Sequence, residues 1–181
     1  MTKTNIRGDF PILATSSRGK PLTYLDSAAT TQKPQCVIDT IGDYYATFNA
    51  NVHRAAHEMA EKATAELEKT RESCAKFLNA KSTDEIVFTK GTTESINLVA
   101  NSVPLFPERR RNIVISELEH HSNIVPWQLV AERHNLDVTA IGISDDGELD
   151  LDQARSLINE DTALVAITHV SNGLGIVNDV K

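Results

Sequence analysis

Cysteine is nearly absent. There are two, Cys36 and Cys74, in 181 residues, and their spacing builds neither a disulfide framework nor a zinc knuckle. No apolar run approaches the length that crosses a bilayer. Met1 to Ile12 shows no charged stretch leading into an apolar one, so no secretory signal is visible. A reducing cytoplasm is the expected compartment. A basic excess is missing too: 25 acidic residues face 18 basic ones, for a net charge of −7. Nucleic-acid binders usually carry the opposite balance. The one basic cluster, Arg109–Arg111, reads as a solvated turn. Neither a nucleic-acid nor a membrane partner is expected. A small anion stays open, because backbone dipoles at a helix start hold phosphate whatever the net charge. Repeats, low-complexity stretches and linkers are lacking. The Arg7-Gly8-Asp9 triplet looks like an adhesion motif, but three residues match too easily by chance.

What remains is a globular composition, 40% hydrophobic and 24% charged, in a length suited to one α/β domain or slightly more. Residues 1–33 read as irregular, with a turn at Arg18-Gly19-Lys20-Pro21. Val37, Ile38, Ile41, Tyr44, Tyr45 and Phe48 recur at helical spacing after Pro34. A second helix is predicted from His57 to Asn79. Its apolar stripe is Met59, Ala63, Leu67, Thr70, Cys74, Phe77 and Leu78, and Glu58/Lys62 and Glu72/Lys76 are placed for i,i+4 pairing. The pattern then alternates. Strands are expected near 86–89, 112–116, 137–142 and 162–168. Helices are expected after Gly91-Thr92-Thr93-Glu94, from a Ser122 cap to about Asn135, and from an Asp150 cap to about Ile158. Strands alternating with helices imply βαβ units and a mostly parallel sheet. Such sheets bind ligands beyond the carboxyl ends of their strands. Three polar clusters fall there: GTTE, ELEHHSN and HVSNGLG. A parallel strand needs a crossover and a further strand to cover both faces, so the sheet reads as unfinished.

Each cluster carries two readings. Gly91-Thr92-Thr93 opens a helix, where free N–H groups and two hydroxyls suit a phosphate; locally, a threonine cap is the simpler reading. His120-His121 follow a strand; an imidazole can stack on a flat heteroaromatic ring, move protons or bind metal, but locally a hydrogen-bonded loop histidine is favoured. Asn172 can donate to a ligand oxygen, or serve as a turn residue with a left-handed backbone. His53 and His57 stand at i,i+4, a zinc-binding spacing on a helix, yet Arg54 occupies the position of the metalloprotease glutamate. For Cys36, near a helix start, and Cys74, on the apolar stripe, the structural reading is preferred over a reactive thiol.

Longer strings lift these residues above their local readings. Asp9-Phe10-Pro11-Ile12-Leu13, Tyr24 to Pro34 (YLDSAATTQKP), Asn51-Val52-His53-Arg54, Ile86 to Ala100 (IVFTKGTTESINLVA), Glu119 to Gln128 (EHHSNIVPWQ) and Ile167 to Asn172 (ITHVSN) span nearly the whole chain. In this order they resemble the class V aminotransferase family, specifically the SufS-type (group II) cysteine desulfurases. The resemblance implies the incomplete large domain of a fold type I, pyridoxal 5'-phosphate (PLP)-dependent transferase: α/β, with a mostly parallel sheet and an N-terminal helical segment. Residues 1–181 would be the N-terminal portion of the class V domain. It implies a homodimeric enzyme that takes sulfur from L-cysteine, leaves L-alanine and an enzyme persulfide, and passes the sulfur to an acceptor protein for iron–sulfur cluster assembly. By the same resemblance His120 stacks on the pyridine ring, Thr92 and Thr93 contact the phosphate, Asn172 contacts the ring hydroxyl, and His53 and Arg54 face the substrate or dimer side.

Departures are visible. Gly8 stands where alanine is common, Ala55 replaces the glycine after His-Arg, and Val103–Arg111 lacks a Gly-Asp turn. The family's cofactor-anchoring lysine, pyridine-pairing aspartate, carboxylate-binding arginine and nucleophilic cysteine align beyond residue 181. Lys90, Cys36 and Cys74 match none of them. The expectation is a truncated chain, a fragment or a natural truncation, without turnover of its own. Competing expectations are a related PLP enzyme such as selenocysteine lyase or kynureninase, a non-catalytic partner-binding protein, and a metal-dependent enzyme using His53/His57 or His120/His121.

Overall fold

The computed structural model of the protein describes residues 6–102 and 110–180. It divides into two compact units, Met1–Val87 and Phe88–Lys181. Of the expected turn at Arg109–Arg111 and the departure at Val103–Arg111, residues 103–109 lie outside the described residues. Arg110 and Arg111 are exposed, as expected of a solvated segment, but form no turn; Arg111 instead leads into the central strand, its N–H donating to the Asp161 carbonyl at 2.9 Å.

The first unit is helical, with one small hairpin. Strands β1 (Ser16–Ser17) and β2 (Lys20–Pro21) pair antiparallel. Their two-residue turn holds Arg18 at φ 53° and Gly19 at φ 75°, the paired positive values whose twist matches that of flanking strands. Helix α1 (Gln35–Thr47) starts after Pro34, whose missing N–H costs nothing there. Helix α2 (Glu58–Leu78) stops at Asn79 in the left-handed conformation.

The stripe expected on α2 is corrected. Its buried positions are Ala60, Ala63 and Ala75, while Phe77 is 90% and Leu78 65% exposed. The expected stripe is right at Ala63 and half-buried at Leu67 and Cys74, but its ends, Met59, Phe77 and Leu78, are exposed, and Ala60 and Ala75 are buried in their place. The expected Glu58/Lys62 and Glu72/Lys76 pairs are not among the ion pairs of the described residues. Lys62 instead places Nζ 4.2 Å from the centre of the Phe48 ring, and α2 carries Glu66–Lys69 and Glu68–Arg71.

The second unit is an α/β arrangement built on a small parallel sheet. Its elements are α3 (Thr92–Ala100), β3 (Asn112–Ser116), α4 (Val125–His134), β4 (Asp137–Ile141), α5 (Leu151–Leu157) and β5 (Thr162–Ala166). The sheet order is β4-β3-β5 and both pairings are parallel. The NIVIS strand is central, as its unbroken apolar run requires: Ile113 and Val114 are fully buried. Ile113 and Ile115 point to one face, where Ala100 of α3, Trp127 and Val130 of α4 and Ala166 of β5 complete the core. Each large aliphatic side chain buried there contributes about 1.5–3 kcal/mol.

Two expectations are corrected in this region. The expected strand 86–89 joins no sheet among the described residues. Ile86 is extended (φ −97°, ψ 114°), but its carbonyl accepts from the Arg71 guanidinium rather than from a ladder. β-branched residues favour an extended backbone; a strand also needs a neighbour. Ser122 does not cap α4. It lies in a 3₁₀ turn, His121–Asn123, capped by His120, and α4 begins after Ile124 with Pro126 in its first turn. Asp150 caps α5 as expected, accepting from the N–H groups of Asp152 (3.0 Å) and Gln153 (2.9 Å). No helix of the described residues is long and apolar enough to cross a membrane.

Candidate active site at the carboxyl rim of the sheet

Because β3, β4 and β5 are parallel, their carboxyl ends open onto one edge. The chain leaving β3 there runs 117–121, and the chain leaving β5 runs 167–174. These two segments, with Ile143 beyond β4, line a cavity of about 380 Å³ that includes His120 and Asn172. A second cavity of about 330 Å³ is lined by Thr93 and Asn97 of α3, by His120 and His121, and by Val125 and Pro126 of α4. His120 and His121 line both cavities.

Gly91 is the N-cap of α3 and no side chain caps that end, so neither Thr92 nor Thr93 plays the capping role. They are its first two residues. The start is braced from outside: the Lys90 N–H donates to the Glu94 carboxylate at 2.6 Å, and Thr89 Oγ1 lies 2.7 Å from Ser95 Oγ. Nothing stands within 4 Å of where a Cβ on Gly91 would sit, so a ligand has room to approach this backbone closely. Thr93 lines the second cavity; Thr92 is not among the lining residues of either.

His120 is held through Nδ1, which accepts from the Ser122 N–H at 3.1 Å and lies 2.9 Å from Ser122 Oγ. A backbone N–H only donates, so the neutral ring carries its hydrogen on Nε2. The ring is otherwise exposed. Asn172 is exposed and lies in the turn closed by the Gly175 N–H donating to the Ser171 carbonyl at 2.9 Å, but its backbone is not left-handed. Its loop is shaped by residues that sequence reasoning passes over. Buried Ser171 accepts from the Leu174 N–H at 3.2 Å, and buried Asn178 donates to the Thr168 carbonyl at 2.7 Å. A small polar residue beside a Gly-rich segment is the only sequence signal for them, and it is weak.

His53 and Arg54 lie in the first unit, and both are exposed. His53 adopts φ 62°; its Nε2 lies 3.2 Å from Glu68 and its N–H donates to Thr64 Oγ1 at 3.0 Å. It is outside α2, while His57 is the N-cap of that helix. The two imidazoles therefore lack the one-face helical geometry of a zinc pair. Among the described residues, no group of three or more His, Cys, Asp or Glu side chains is placed to hold a metal.

The rim offers a helix start open to an anion, an imidazole face for a flat ring, and an amide for an oxygen. That donor set fits a phosphorylated heteroaromatic cofactor. Comparisons with known proteins give the family. The family model described as aminotransferase class-V matches residues 23–181. A cysteine desulfurase of Pectobacterium atrosepticum is 49% identical over 177 residues, covering 97% of this chain and 44% of that protein. Among solved structures, an apo cysteine desulfurase from Thermococcus onnurineus NA1 superposes with a TM-score of 0.85 at 39% identity, covering 97% of this chain and 42% of the other. SspA in complex with cysteine gives a TM-score of 0.73 at 31% identity, covering 87% of this chain and 45% of the other. The chain thus spans less than half the length of the relatives it matches, and its α/β, parallel-sheet architecture is part of the fold type I PLP-dependent enzymes. With the class-V model matching residues 23–181 and relatives 49% identical over 97% of the chain, the chain belongs to the aminotransferase class-V family.

Proposed function

We propose that these residues supply the cofactor-binding portion of a PLP-dependent cysteine desulfurase of the SufS type, as the N-terminal part of its class V domain. The observation that carries this reading is the position of His120. It lines both the cavity that Thr93 lines and the cavity that Asn172 lines. A single ligand lying against the imidazole can extend a phosphate toward the start of α3 and an oxygen toward Asn172.

In this reading Thr92 and Thr93 donate hydroxyls to the phosphate, beside the N–H groups at the helix start. His120 stacks on the pyridine, held flat by its bond to Ser122. The Asn172 amide donates to the ring hydroxyl. The bound cofactor supplies an electron sink for bonds at the amino-acid α-carbon. His53 and Arg54 serve the substrate or dimer side. The substrate is L-cysteine, and the sulfur passes to an acceptor protein in iron–sulfur cluster assembly, in a homodimer of the whole enzyme. The two free thiols, Cys36 and Cys74, suit a reducing cytoplasm. Neither matches the family's nucleophile and Lys90 does not match its lysine, so the 181 residues alone bind cofactor without desulfurating cysteine.

The test is titration of the purified chain with PLP, followed by absorbance and by fluorescence of Trp127, the only tryptophan. Saturable binding is expected, weakened about tenfold or more in His120→Ala, a loss of about 1.4 kcal/mol. Equal affinity in wild type and variant would refute the site. Alanine formation from L-cysteine above the level given by free PLP would refute the absence of turnover.

A further inference from the structure

The cofactor reading gives no role to Glu119, yet its carboxylate joins three parts of the rim. Oε1 accepts from the Ser116 hydroxyl and from the Thr168 N–H, each at 2.6 Å. Oε2 accepts from Asn123 Nδ2 at 2.7 Å, and Asn123 Oδ1 in turn accepts from the Trp127 indole N–H at 2.9 Å. Ser116 ends β3 and is 1% exposed. Thr168 lies two residues beyond β5, at the root of the segment that carries Asn172. Asn123 closes the turn that leads into α4.

The direction of this chain of bonds is forced. The Trp127 indole and the Thr168 amide can only donate. The indole occupies the Asn123 oxygen, so the Asn123 NH₂ must face Glu119. Both oxygens of residue 119 are then required as acceptors. A carboxylate meets that requirement. Glutamine does not, because its NH₂ must confront a donor on one side or the other.

We propose that Glu119 is a positioning residue. It locks the ends of β3 and β5 to the start of α4, and so sets the register between the His120 ring and the Asn172 loop on either side of the first cavity. The consequence for cofactor binding rests on the PLP reading of the rim. The consequence for the ring and loop does not.

The experiment uses the ¹⁵N-labelled chain, its Glu119→Gln and Trp127→Phe variants and the double variant. The readouts are His120 imidazole nitrogen shifts, amide exchange at Thr168 and PLP affinity. In Glu119→Gln, His120 is expected to lose its single Nε2–H signature, Thr168 to exchange faster, and PLP affinity to fall by about tenfold, the scale of one charge-assisted hydrogen bond. In the double variant no indole N–H holds Asn123, which can turn its oxygen to the NH₂ introduced at position 119. All three readouts should then return toward those of Trp127→Phe alone. A general loss of stability would worsen in the double variant instead. Unchanged imidazole and amide signals in Glu119→Gln, or no recovery in the double variant, would overturn the proposal. If wild type binds no PLP while the imidazole and amide signals respond and recover as stated, the positioning role stands and the PLP reading falls. Should Glu119→Gln fail to fold, Ser116→Ala removes one donor and keeps the carboxylate; smaller shifts in the same direction are required of it.

Discussion

Among the described glycines, Gly147 is the one where an added Cβ would meet the nearest atoms. It closes the turn Ser144–Glu148, where the Gly147 N–H donates to the Ser144 carbonyl and the Ser144 N–H to the Glu148 carbonyl, each at 2.9 Å. Its φ is +82°, the left-handed position that this kind of hairpin turn assigns to glycine. A Cβ there would stand 2.6 Å from Ile176 Cδ1 and 2.8 Å from Leu174 Cδ1. Gly147→Ala therefore meets two costs. The backbone conformation costs about 1–2 kcal/mol. The two methyls are ends of flexible side chains, so they move aside by rotamer changes costing about 1 kcal/mol together. The expected total is about 2–3 kcal/mol, from the sum of those terms. Gly175 provides the control: its φ is +74° with nothing within 4 Å of a Cβ, so Gly175→Ala carries the backbone cost alone. Urea unfolding followed by Trp127 fluorescence reads both, since that buried indole lies in the same unit. Gly147→Ala should unfold at lower urea than Gly175→Ala by about 0.5 M, given about 1 kcal/mol and a typical slope of about 2 kcal/mol/M. Coincident midpoints for the two variants would refute the contact argument. A Gly147→Ala midpoint equal to wild type would refute the whole account of the turn.

Ile113, fully buried on the central strand, gives a steeper test: Ile113→Ala should cost about 2–5 kcal/mol and Ile113→Val about 0.5–1.5, and equal unfolding midpoints for the two would show that the core is not packed around β3. Asp150→Ala removes a cap that serves two N–H groups. It should cost about 1 kcal/mol, with hydrogen exchange of the Asp152 and Gln153 amides rising first; unchanged exchange there would contradict the cap. Asn172→Ala should weaken PLP binding by about tenfold while leaving the stability within about 0.5 kcal/mol of wild type, as expected for an exposed residue. Equal PLP affinity in the variant would remove Asn172 from the site.

The sequence by itself determined most of the elements of the second unit and the loops in which its candidate site residues fall. Period-two and period-3.6 patterns are local properties of the chain. They placed β3, β4 and β5, the Asp150 cap and two of the three polar clusters, ELEHHSN and HVSNGLG, at strand ends, while GTTE opens α3 without a paired strand before it; long matching strings named the family. It did not determine which extended segment finds a neighbour. Residues 86–89 are rich in β-formers, yet the Ile86 carbonyl goes to Arg71, a contact between residues fifteen apart that no local pattern encodes. Nor did periodicity reveal that α2 buries Ala60 and Ala75 and leaves Phe77 and Leu78 exposed, because which face turns inward depends on what packs against it. Tertiary structure alone decided the wiring of the rim. His120 and Asn172 were legible one by one as polar residues in loops, but Glu119 looked like another charge beside a histidine pair. Its bond to the Thr168 amide spans forty-nine residues, and it exists because parallel strands bring the end of β5 beside the end of β3.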